Sequence, residues 1–162
     1  MKHQQPGKCL IVIMLITMTS LATLPAMAED WLVDAPDEET RAERLSSYLA
    51  GFSAAMWEVG ERYQRVVQAI RDENHELAAY HWEKIGDTIR GGYLKRPARQ
   101  ENADRMFLEP VWGDYLETLQ SGDFEAIRNE FEPARQACMS CHKAEGVPFM
   151  NDQPIFTELG ID

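Results

Sequence analysis

The chain has 162 residues, 44% of them hydrophobic, and a formal net charge of −11 at neutral pH. That length predicts a single folded domain. So acidic a balance excludes nucleic acid as a natural partner while admitting a basic protein one, acidic solubility being its ordinary cause.

Residues 1–28 read as a secretory signal peptide. Lys2 and Lys8 open it, an apolar run from Cys9 through Ile16 to Leu24 follows, and Ala26-Met27-Ala28 has the small-x-small cleavage pattern. The run is short for a membrane span, so no stable membrane insertion is expected after cleavage. The Gln-Pro-Gly-Lys before Cys9 is unlike a lipid-attachment signal. Cleavage would leave residues 29–162, in which Cys138 and Cys141 are the remaining cysteines. Lys2 and Lys8 are the only charged residues removed, so the charge would move from −11 to −13.

Four helices are predicted next. Thr40 and Glu43 fit a capping box, with Asp37, Glu38 and Glu39 suited to a helix N-terminus. Leu45, Leu49, Phe52, Met56, Val59, Tyr63, Val66 and Ile70 then recur at alternating spacings of four and three, a heptad seam expected on one long helix. Asp72-Glu73-Asn74 is a short polar break with Asn74 as N-cap. The second helix carries Ala78, Trp82, Ile85 and Ile89 on one stripe and stops at Gly91-Gly92. So short a link predicts antiparallel neighbours.

The basic knot Lys95-Arg96-Pro97-Ala98-Arg99 precedes a third helix, expected over Ala98 to Gln120, with Leu108, Trp112, Tyr115 or Leu116, and Leu119 inward and Pro110 either kinking it or starting a new segment. Ser121-Gly122-Asp123 supplies a stop and a cap. The fourth helix presents Phe124, Ile127, Phe131, Ala134 or Arg135, and Cys138, with a kink expected at Pro133. Residues 146–162, with Pro148 and Pro154, are expected to form a non-helical tail. Its Phe149, Met150, Ile155 and Phe156 would fold back over apolar surface.

The chemistry concentrates in Cys138-Met139-Ser140-Cys141-His142. Cys-x-x-Cys-His is the attachment signature of c-type haem: two thiols bond covalently to one porphyrin, and the adjacent imidazole becomes the proximal iron ligand. A structural zinc needs four ligands, and only the distant His75 and His81 could join this pair. A dithiol redox motif sits at a helix start after a strand, and no strand precedes this one. One covalent haem c is therefore the expected cofactor. Export agrees, because such haem is attached on the oxidising side of the bacterial membrane.

Four helices with Cys138-x-x-Cys141-His142 near the end of the last resemble the class II c-type cytochromes, the cytochrome c′ group, over most of residues 37–145. The resemblance implies an all-α, antiparallel up-down-up-down four-helix bundle with haem c near the C-terminal end of the fourth helix. It also implies Cys138 and Cys141 as thioether anchors, His142 as proximal ligand, and a homodimer by analogy. The chain departs from that family in continuing for 20 residues beyond His142.

Class II proteins either leave the distal face of the iron open to small gases or fill it with a methionine from the first helix. Met56, on the inward seam and near the family's distal position, is the candidate distal iron ligand. Its alternative is ordinary core. Met106, Met150 and His81 are weaker candidates, and His75 is expected to face solvent. Trp57, Trp82, Trp112, Tyr63 and Phe107 are candidates for packing around the porphyrin or for plain core. Lys95, Arg96 and Arg99 would pair with propionates or lie in a solvated connection, and Arg135, three positions before Cys138, would lie near the haem edge or in solvent. The expected function is electron transfer in the periplasm with redox protein partners. The alternative is gas binding. A haem enzyme is not expected, since only His75 and His81 offer acid–base chemistry.

Overall fold

The computed structural model describes residues 30–158 and 160–161, and among these every regular element is helical. The signal-peptide reading of residues 1–28 lies outside the described residues. The α-helices are α1 (Glu38–Tyr48), α2 (Phe52–Arg71), α3 (His75–Tyr93), α4 (Gln100–Ala103), α5 (Gly113–Ser121), α6 (Phe124–Ala144) and α7 (Pro154–Thr157). Turns of 3₁₀ helix occupy Pro97–Arg99 and Pro148–Asp152, and a π-helical stretch spans Asp104–Trp112. Among the described residues no helix is long and apolar enough to cross a membrane.

The long first helix expected from the heptad seam is two helices. Asp37, rather than Thr40, caps α1: its carboxylate accepts from the Thr40 N–H at 2.7 Å. The helix stops at Tyr48, Ala50 turns left-handed at φ 56°, and extended Gly51 caps α2. The Arg96 side chain lies against this turn, where a Cβ on Gly51 would stand 3.2 Å from its guanidinium. No residue of α1 is buried, and Leu45 and Leu49 of the seam lie largely in solvent. Arg41 and Arg44 tie α1 to the carbonyls of Leu32 and Trp31.

Burial along α2 is graded. Phe52, Met56 and Val59 are half-buried, whereas Tyr63, Val66, Val67 and Ile70 are buried. The link to α3 is as short as predicted, and the Asn74 side chain accepts from the Leu77 N–H at 3.0 Å. The two helices pack antiparallel along their lengths: Phe52 and Ala55 meet Gly92, and Arg62 meets His81. Gly92 is a place where only glycine fits, because a Cβ would stand 2.7 Å from the Phe52 ring.

The third segment winds as 3₁₀, α, π and α helix in turn from Pro97 to Ser121. Pro110 lies inside the π stretch. A proline has no N–H to give and crowds the preceding turn, and the wider winding accommodates both. Gly122, left-handed at φ 73°, ends this segment, and Asp123 caps α6 by accepting from the N–H groups of Glu125 and Ala126. The 21-residue α6 runs through Pro133 without a break.

The core centres on Trp82, fully buried with Phe107 and Tyr115 packed edge-on against its ring at 5.5 and 4.9 Å. Val66, Ile70, Ile85, Leu119 and Ile127 close around it. Each such aliphatic side chain, taken fully from water, contributes about 1.5–3 kcal/mol. Trp57, expected inward, is exposed instead.

The tail expected to be non-helical contains two short helical pieces. Gly146, at φ 74°, ends the run of α6, and then Pro148 and Pro154 each open a helical turn. A proline is pre-set for a first helical position, which explains why these two start turns rather than only stopping one. The tail folds back as expected: its 3₁₀ turn lies on α6 and α7 touches α2, with Phe156 buried and Phe149 exposed.

Candidate functional site

The last turns of α6 carry Cys138, Cys141 and His142. Spacings of three and four put them on one face of the helix. Both cysteines are free and half-buried. Burial pushes the Cys138 thiol up to about 12, with Cys141 adding to the effect. Burial also raises Cys141, against a smaller opposing pull from Arg99. Such thiols are protonated at neutral pH, unlike the depressed thiol of a dithiol oxidoreductase. Among the described residues no three His, Cys, Asp or Glu side chains converge as a metal site, so His75 and His81 do not complete a zinc set.

His142 is held from behind. Its Nδ1 lies 2.8 Å from Asn151 Oδ1, and Asn151 Nδ2 donates to the Met139 carbonyl at 3.0 Å. A carbonyl can only accept, so the Asn151 amide nitrogen must face Met139 and its oxygen must face the imidazole. Nδ1 therefore carries the proton and donates, which leaves the Nε2 lone pair for a metal. Phe156 packs edge-on against the ring at 5.6 Å. Asn151 is 7% exposed, the one buried polar side chain among the described residues. The sequence reading passed over it. Its signal was weak: it is one of two amides, with Gln153, between Phe149-Met150 and Ile155-Phe156.

Two thiols on one helix face and an imidazole presenting Nε2 are the donor set that a c-type haem requires. Two further atoms fit such a group. Tyr63 Oη and Arg135 Nε are buried without hydrogen-bond partners. Burial first, and then Cys138 beside it, raise the Tyr63 phenol well above its ordinary range. An acidic cofactor edge would give both donors an acceptor. The other Arg135 nitrogens are engaged, one with the Phe156 carbonyl and one with Glu132 at 2.7 Å.

The basic knot is mostly committed within the protein. Arg99 pairs with Glu145, which also accepts from Asn102 at 2.7 Å. Arg96 donates to the Lys95 carbonyl and covers Gly51. The Arg99 and Asn102 contacts brace the C-terminal end of α6 against the start of the third segment.

Met56 is half-buried and packs against the core, one turn after Phe52. Phe52 meets Gly92, Arg96 lies against Gly51, and Arg99 pairs with Glu145 at the end of α6. Met56 and the Cys-x-x-Cys-His turn thus share one end of the molecule. His75 belongs to the other end, half-buried rather than in solvent, with Nδ1 3.2 Å from the Leu119 carbonyl. His81 faces Arg62 across α2 and α3 at 3.4 Å. Met106 lies half-buried in the π stretch, and Met150 packs its sulfur 3.9 Å from the Gln153 amide. No protein-family model, curated protein or solved structure matches the chain.

Proposed function

We propose that the chain is an exported, single-haem c-type cytochrome of the class II kind, which carries electrons between redox proteins in the periplasm. The observation that carries this reading is the Cys138-Cys141-His142 turn with His142 Nε2 left free by the Asn151 hydrogen bond. Cys138 and Cys141 anchor the group and His142 ligates it. A bound haem would supply the one-electron chemistry, and the chain supplies attachment, ligation and a low-dielectric surround.

In this reading α2, α3, the Pro97–Ser121 segment and α6 run up, down, up and down. End-to-end contacts support that order: His75 meets Leu119, the Tyr115 hydroxyl donates to the Ile127 carbonyl, and Arg99 meets Glu145. The acidic surface favours a basic redox partner, and a homodimer is proposed by likeness to class II bundles. Met56 is the proposed distal ligand.

A second reading, gas binding at an open iron, has one observation in its favour. Met56 is already engaged in apolar packing with the core, and a thioether so used leaves the distal face free. Two measurements test the proposal. Protein produced with a cytochrome c maturation system should keep haem stain on a denaturing gel; haem that extracts into acid acetone overturns covalent attachment. Optical spectra of the oxidised and reduced protein then separate the two readings. Low-spin iron that resists CO supports the carrier, and high-spin iron that takes up CO supports the gas binder.

A further inference from the structure

We infer that Asn151, brought from the tail, is a positioning residue that sets the tautomer of His142 and how strongly its imidazole donates to a metal. The inference rests on the haem reading above and extends it to a residue outside the attachment motif.

The tail reaches the site through defined steps. Gly146 reverses the chain after α6, Pro148 starts a 3₁₀ turn, and that turn carries Asn151 back under His142. Burying an amide costs free energy unless all its groups are matched. Here the oxygen takes the His142 Nδ1 proton at 2.8 Å and the nitrogen serves Met139 at 3.0 Å. Phe156 packs edge-on against the same imidazole and is itself packed on Tyr63, with centroids 5.7 Å apart. The tail therefore engages Nδ1 through Asn151, which makes Nε2 the nitrogen that keeps its lone pair. An acceptor at Nδ1 pulls on that proton and makes Nε2 a stronger donor, which favours the oxidised metal.

Two variants make opposite predictions. Asn151→Leu keeps the bulk and removes the acceptor, so the reduction potential should rise. Asn151→Asp strengthens the acceptor, so the potential should fall. A tail that merely excluded water would shift both variants in the same direction. Proton NMR of the unmodified protein in H₂O supplies a readout that needs no variant: the His142 Nδ1 proton should exchange slowly with solvent.

Haem stain on each sample separates the two levels of the argument. Wild type without covalent haem overturns the function and this inference together. Covalent haem with both potentials unchanged or moved in one direction, or with an Nδ1 proton that exchanges at the solvent rate, overturns the inference alone.

Discussion

Trp82 and Trp112 exchange hydrogen bonds: each indole N–H donates to the other's main-chain carbonyl, at 2.9 and 3.0 Å. The pair ties α3 to the end of the π stretch. It also fixes the Trp112 ring over Gly86, where a Cβ would stand 2.5 Å from the indole. A third group holds the ring from outside, the Arg90 guanidinium 4.3 Å from its centroid.

That arrangement predicts opposite signs for two glycine substitutions on one helix. Gly86→Ala should destabilise by about 1–3 kcal/mol, the usual cost of overpacking a rigid site. Gly91 has open space around its Cβ position, so Gly91→Ala should stabilise by about 0.5–1 kcal/mol through helix propensity. Trp82→Phe should cost about 1–3 kcal/mol, because the part-buried Trp112 carbonyl loses the indole donor. Urea unfolding of the three variants checks all of these.

The proposed export predicts a processed N-terminus. Mass spectrometry of the exported protein should place it at Glu29, directly after the Ala26-Met27-Ala28 pattern. Retention of residues 1–28 in a membrane fraction would refute both cleavage and the periplasmic assignment.

Met56 decides between carrier and gas binder. A Met/His pair keeps iron low-spin and raises its potential. If Met56 ligates, Met56→Ala should abolish the far-red sulfur–iron absorption, give high-spin iron and open CO binding. Met106→Ala and Met150→Ala should leave the spectrum alone. A low-spin spectrum unchanged by Met56→Ala would move the ligand elsewhere.

His81 predicts a pH effect. Burial first, and then the charges of Arg62 and Arg65, lower its pKa from 6.5. The folded state thus resists a proton that the unfolded chain accepts. The contribution of a neutral His81 is complete above the unfolded value and is lost as pH falls through the lower folded value. His81→Gln should make stability less sensitive to acid below about pH 6.5, where the unfolded histidine begins to charge. Thermal melts across that range check it, and equal slopes in variant and wild type would refute it.

Local chemistry made much of the fold legible in advance. Caps at Asn74 and Asp123, the stop at Gly122 and the stripe through Ala78, Trp82, Ile85 and Ile89 depend on neighbours within a turn or two, which a sequence displays directly. The heptad seam misled for the converse reason. Its spacing is unbroken through Leu45, Leu49 and Phe52, but spacing cannot show that the chain turns left-handed at Ala50 or that Leu45 and Leu49 stay exposed. Pro110 signals a kink or a new segment, but a proline alone does not say that the helix will widen into a π winding instead.

The sequence by itself determined that the chain is helical and that Cys138, Cys141 and His142 stand at the spacing of one motif, since periodicity and motif spacing are local properties of the chain. Only the tertiary structure decided that Asn151 faces His142, that His75 lies at the far end from it, and that Tyr63 Oη and Arg135 Nε are buried without partners. Those relations depend on how the tail folds back and how the helices pack. Contacts between residues far apart in the chain leave no fixed spacing to read.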